Sequence, residues 1–135
     1  MANSLYTKAR ERFARGQFDW LTDTFKCLLV DTGVYSVNLD GHEFLSDIGT
    51  SARVATSGPL TGKALVSGAI DCNDVVFSGV TGASVEAVVL YKDTGVPETS
   101  PLVAYFDTGT GLPITPNSGD INLAWDNGPN RVLKL

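Results

Sequence analysis

The chain has 135 residues, 43% of them hydrophobic and 19% charged, with a formal net charge of −5. That length holds one domain of ordinary size, able to bury a core without disulfide or metal staples. No apolar run approaches the ~18 residues of a membrane-crossing helix, and the apolar content excludes a chain disordered throughout.

Residues 4–15 are predicted as the helix of the chain. Leu5, Tyr6, Ala9 and Phe13 fall near one side, Ser4 can serve as N-cap, and Gly16 stands where a terminating glycine belongs. The preceding residues lead into this basic amphipathic stretch and not into an apolar core, so no secretory signal is expected. Phe25–Asp31 reads as a mostly apolar strand closed by Thr32-Gly33. Val34–Leu39 alternates with period two and fits either a strand or an extended loop; His42–Ile48 fits a short helical turn, and Ala52–Thr56 a strand. Lys63–Val66 and Ala69–Cys72 flank Ser67-Gly68, which predicts a hairpin. Asp74–Ser78 is a further strand. Val85–Lys92, apolar on both sides of its middle, is predicted as a central strand with Leu102–Phe106 as its antiparallel partner. Ile121–Trp125 alternates with Ile121, Leu123 and Trp125 inward, and Arg131–Leu135 is a last strand. Short strands with turn signals every ~8–12 residues predict an all-β fold, an antiparallel β-sandwich of jelly-roll or Ig-like kind with one short N-terminal helix. The expected division is an N-terminal helical arm, residues 1–20, and a β-sandwich domain, residues 21–135.

Charge is unevenly placed. Residues 1–15 carry Lys8, Arg10, Arg12 and Arg15 against Glu11, a net +3, whereas the rest of the chain carries −8. An acidic body disfavours nucleic acid as the main partner, since phosphate contacts need clustered Lys and Arg. An acidic neighbour, or another copy of the chain, suits the arm as well.

Motifs of catalytic appearance have simpler readings. Asp-Thr-Gly occurs at residues 31, 93 and 107, and the first and third follow apolar runs as in an aspartic protease, which needs two carboxylates sharing a proton. Three copies are too many for one catalytic Asp per subunit, and Asp and Gly are the residues that turn a strand. Asp71, Asn73 and Asp74, and likewise Asp120, Asp126 and Asn127, offer too few oxygens for calcium and read as turn formers. His42 beside Glu43 lacks a third triad member and reads as a solvated or packed histidine. Gly58–Lys63 departs from a phosphate loop, with Ala64 at the hydroxyl position. Cys27 and Cys72 are expected as buried thiols, and one His with two distant Cys makes no zinc set. No cofactor or metal is expected. Trp20, Tyr35, Tyr91, Tyr105 and Trp125 could build a stacking platform. Tyr105 and Trp125 fit the core better, and Trp20 fits an exposed interface anchor.

In their order along the chain, the helix and the segments Asp23–Asp31, Asp74–Ser78, Glu86–Asp93, Pro101–Asp107 and Gly119–Trp125 resemble a family of small virion structural proteins of tailed bacteriophages. The resemblance covers nearly all of the chain. It implies no enzyme but a β-rich module added to the particle in many copies, made in the host bacterial cytoplasm and resident in the virion. As a capsid decoration (cement) protein its partners are the major capsid protein and further copies of itself, with no membrane contact; a tail or head–tail connector part is the alternative, and a host-surface carbohydrate-binding module a further one. The expected interface is Tyr6, Lys8, Arg10, Arg12, Phe13, Arg15, Phe18 and Trp20, where cations and exposed-looking aromatics concentrate. Deleting residues 1–16 is then expected to leave the sandwich folded and to abolish particle binding. The competing expectation is a helix that caps its own sandwich.

Overall fold

A computed structural model describes residues 4–107 and 114–123, and the backbone of 133–134. In chain order the elements are β1 (Ser4–Leu5), α1 (Thr7–Ala14), β2 (Phe25–Val30), β3 (Arg53–Thr56), β4 (Ala64–Val66), β5 (Ala69–Asp71), β6 (Val75–Phe77), β7 (Ala87–Lys92), β8 (Leu102–Phe106), β9 (Ile121–Leu123) and β10 (Leu133–Lys134), with short 3-10 turns at Leu45–Asp47, Thr50–Ala52 and Pro97–Thr99. The described residues are mostly β with one helix. A five-stranded antiparallel sheet runs β1-β8-β7-β2-β3, and two small sheets, β10-β5-β4 and β6-β9, stand apart from it.

β7 occupies the middle of the large sheet, as its continuous apolar run predicts. Directly paired residues share a face. The register Cys27↔Leu90↔Ala104 and Leu29↔Val88↔Phe106 therefore defines one face. Leu28↔Val89↔Tyr105 and Val30↔Ala87 define the other. All of these side chains are buried, so both faces are covered. Phe18 and Trp20 lie against Phe25 on the first face, and over the second Tyr6 reaches Tyr35, whose ring lies 6.5 Å from that of Tyr105. Each large aliphatic side chain so buried stabilises by about 1.5–3 kcal/mol relative to exposure.

The hairpin at Ser67-Gly68 is present. Both residues have positive φ, +48° and +84°, the mirror-image turn whose twist matches antiparallel strands. In β6-β9, Val75↔Leu123 and Phe77↔Ile121 share one side and Val76↔Asn122 the other, as the alternation predicts. Ala124, Trp125, Asp126 and Asn127 lie outside the described residues, as do Thr108-Gly109 and Arg131; β10 pairs with β5 inside the predicted last strand. Residues 34–39 form a loop and not a strand. Cys27 and Cys72 are both buried, and burial pushes the Cys27 thiol well above its ordinary range.

The N-terminus differs most from expectation. Ser4–Leu5 is not helical: it pairs with Tyr105 and Ala104 as the edge strand of the large sheet, and the Tyr6 amide continues the ladder to the Val103 carbonyl at 3.0 Å. Edge pairing outweighs helix propensity here because β8 offers an open row of acceptors. Tyr6, extended at φ −67° and ψ 144°, is the N-cap in place of Ser4 and contributes no side-chain cap.

Candidate interface on the N-terminal segment

α1 buries Ala9 with the neighbouring Tyr6, and Phe13 is half-buried, so the stripe predicted from sequence faces inward. The helix ends in a Schellman motif. Gly16 (φ +70°) donates to the Phe13 carbonyl at 3.1 Å and Gln17 to that of Arg12 at 2.9 Å, satisfying carbonyls that the last turn leaves open.

The eight predicted interface residues divide by this geometry. Tyr6 is fully buried, its hydroxyl 2.8 Å from that of Tyr35. Phe18 packs edge-on between Phe13 (4.9 Å) and Phe25 (6.0 Å). Trp20, 4% exposed, lies 4.8 Å from Phe25 and donates its indole N–H to the Asp71 carbonyl at 3.0 Å. Tyr6, Phe18 and Trp20 are therefore core residues of the folded chain and not exposed anchors. A large aromatic gains most from burial when its one polar atom finds a partner, as the Tyr6 hydroxyl and the Trp20 indole both do. The arm is likewise built into the sheet, its helix packed against the rest of the chain.

Arg12 is structural as well. Its guanidinium holds Glu43 at 2.6 Å and Gln17 Oε1 at 3.2 Å, and lies 5.3 Å from the Phe44 ring centroid. The outward cations are Lys8, Arg10 and Arg15. Lys8 and Arg15 sit 3.8 and 4.0 Å from Glu11, and Arg10 reaches Ser4 Oγ at 3.5 Å. Such long, exposed pairs leave these side chains free to exchange partners. The sequence reading brought all eight residues to one segment but could not divide them, because alternate turns of a short helix look alike until the packing surface is known.

Two polar arrangements escaped the sequence reading. One is the Arg12–Glu43 clamp. The other is a chain from Tyr6 through Tyr35 to His42 Nδ1, the second step also 2.8 Å. His42 Nδ1 in addition receives the Asn38 amide N–H at 3.3 Å. An amide can only donate, so Nδ1 is the acceptor, the Tyr35 hydroxyl donates to it, and Tyr6 donates to Tyr35. His42 follows Asn38 in a tight turn, with its own amide on the Asn38 carbonyl at 2.9 Å and Gly41 on the Asn38 side chain at 2.9 Å. An Asn–x–x–x–His spacing is the only sequence trace of this arrangement.

The first two Asp-Thr-Gly motifs take turn geometry, and the third runs into residues outside those described. Asp31 Oδ1 accepts the Gly33 amide at 2.8 Å and Asp93 Oδ1 the Gly95 amide at 3.0 Å, both side-chain turns; Asp107 closes β8. Lys63 gives its ammonium to the Asp23 carbonyl and lies over the Trp20 and Phe25 rings, turned away from any phosphate position in Gly58–Lys63. A cleft of about 230 Å³ beside it is lined by residues 58–61 and 73–76. Asp71 accepts the Cys72 amide at 2.9 Å, Asn73 donates to Thr61 at 3.2 Å, and Asp120 accepts the Gly79 amide at 3.1 Å. Among the described residues, no three His, Cys, Asp or Glu side chains are placed to hold a metal ion, and no helix is long and apolar enough to cross a membrane. Trp20, Tyr35, Tyr91 and Tyr105 are all buried, so these aromatics form no exposed stacking platform. No protein-family model matches the chain, and comparison with curated proteins finds no match.

Proposed function

We propose that the chain is a non-enzymatic structural component of a tailed-phage virion, a decoration protein that bridges subunits of the capsid lattice. The observation that supports this most is the outward cationic side of α1. Lys8, Arg10 and Arg15 project from a domain whose remaining residues carry net −8, which suits docking on an acidic neighbour. The order of helix and strands, similar to that of phage virion proteins, supports the same reading. So does the large sheet, which among the described residues ends at β3, an edge strand of the kind at which chains can add. We take the two small sheets as the second layer of a sandwich, linked to the first by the Trp20–Asp71 hydrogen bond. A contact of ordinary size buries about 800 Å² per partner, and symmetry multiplies a modest affinity into avidity.

Cryo-electron microscopy of the intact particle, with quantitative mass spectrometry of its proteins, tests the proposal. Hundreds of copies on the shell, with α1 facing the lattice, are expected. A dozen copies at the neck or tail would assign a connector role instead, and absence from purified particles would end the virion reading.

A further inference from the structure

We propose that His42 is a proton-operated latch on the N-terminal segment. The docked segment depends on His42 through Tyr6, whose buried hydroxyl has the Tyr35 hydroxyl as its partner, which in turn leans on His42 Nδ1. The Asn38 amide points at the same nitrogen. Adding a proton to Nδ1 turns the acceptor into a donor facing two donors. Tyr35 can respond only by rotating its O–H toward Tyr6, which then has to find another acceptor inside the core, while the Asn38 amide, at an exposed position, turns to water. The buried Tyr6 hydroxyl, left without a partner, destabilises the docked segment. The neutral ring therefore holds the segment and the imidazolium loosens it.

Among the described residues, Asp47, from the 3-10 turn, interacts with the ring, and Tyr6 and Tyr105 stand behind Tyr35. Asp40 and Glu43, on either side in the chain, are engaged by Thr7 at 2.6 Å and Arg12 at 2.6 Å. The Asp47 carboxyl itself lies below its ordinary range. Burial pushes it up, but the amides of Glu43 (2.7 Å) and Phe44 (3.0 Å) outweigh this, so it titrates below the range of an imidazole. His42 is the one imidazole in the chain, and imidazole is the side-chain class that serves as a proton switch between about pH 5 and 8. The device is independent of what the chain binds. Its opening would uncover Tyr6, and with it a route by which a partner or a second copy gains the β8 edge.

Amide hydrogen exchange of the full chain, expressed as protection factors, tests the latch. Protection of residues 6–14 is expected to fall about tenfold between about pH 7.5 and 5, with the midpoint coinciding with the His42 ring-proton titration followed by NMR on the same sample. His42→Asn, which keeps an acceptor near the Nδ1 position but does not titrate, is expected to abolish the pH dependence. Unchanged protection across that range, a midpoint apart from the imidazole titration, or a His42→Asn protein with the wild-type pH profile would each overturn the proposal. If His42→Asn does not fold, the coincidence of the two wild-type midpoints decides alone.

Discussion

Trp20 and Asp71 are joined by a 3.0 Å hydrogen bond from the indole N–H to a backbone carbonyl, across 51 residues of sequence. The bond ties the turn before β2 to the end of β5, in a different sheet. Trp20→Ala removes both the bond and the ring packed on Phe25 and is expected to cost about 3–5 kcal/mol. Trp20→Phe keeps most of the apolar area, removes the indole hydrogen bond, and is expected to cost about 1 kcal/mol. Urea denaturation followed by circular dichroism measures both; a Trp20→Phe protein as stable as the parent would show that the hydrogen bond contributes nothing of its own.

Removing residues 1–16 takes β1 from the edge of β8 and Tyr6 and Ala9 from the core. The shortened chain is expected to lose more than about 3 kcal/mol of stability and to self-associate through the bared edge. The charge-reversal pair Arg10→Glu and Arg15→Glu touches only exposed side chains and is expected to stay within about 0.5 kcal/mol of the parent. Thermal melts and particle-binding assays on the two proteins separate folding from docking. Loss of binding in the charge-reversed protein with an unchanged melt is the expected result.

All four tyrosines hold their protons more tightly than free phenol does. Burial is the main cause at each, pushing Tyr35 and Tyr91 up to about 12 and Tyr6 and Tyr105 upward as well. A phenol whose pKa is raised by folding contributes stability below its unfolded value near 10, and that contribution fades as pH rises toward the folded value. Absorbance of tyrosinate at alkaline pH is therefore expected to lag behind free tyrosine and then to rise together with unfolding. A smooth titration centred near pH 10, with circular dichroism unchanged, would contradict the buried placement.

Gly62 and Gly68 both have positive φ, +63° and +84°, yet only Gly62 has a close neighbour: a Cβ there would fall 2.4 Å from Asn73 Oδ1, while at Gly68 nothing lies within 4 Å. Gly68→Ala is expected to cost about 1–2 kcal/mol from the backbone alone. Gly62→Ala should cost more, because the Asn73 side chain must also give up its hydrogen bond to Thr61. Comparing the two denaturation midpoints checks the order.

Much of the sheet was readable before any coordinates. The run Val88–Leu90 has no polar side and so had to be central, and Ser67-Gly68 is a turn that announces its own geometry. Asp31 and Asp93 were readable as turn formers because the bond each makes lies two residues away. What could not be read was long-range. Nothing near Ser4 says that it pairs with Tyr105, and nothing near Trp20 says that Asp71 will receive its N–H. Aromatics beside charges looked exposed because their covering surfaces come from distant segments, and His42 looked isolated because its partners lie 7 and 36 residues back along the chain.

The pairing of β1 with β8 sets a constraint on biosynthesis. Leu5 leaves the ribosome about a hundred residues ahead of Ala104, so β1 waits unpartnered while the residues between them are made. Closure of the large sheet is therefore a late event with a long loop to bring together, and such non-local pairing is slow. During that interval Tyr6, Phe18 and Trp20 are uncovered, and crowded nascent chains can exchange these segments with one another before each finds its own.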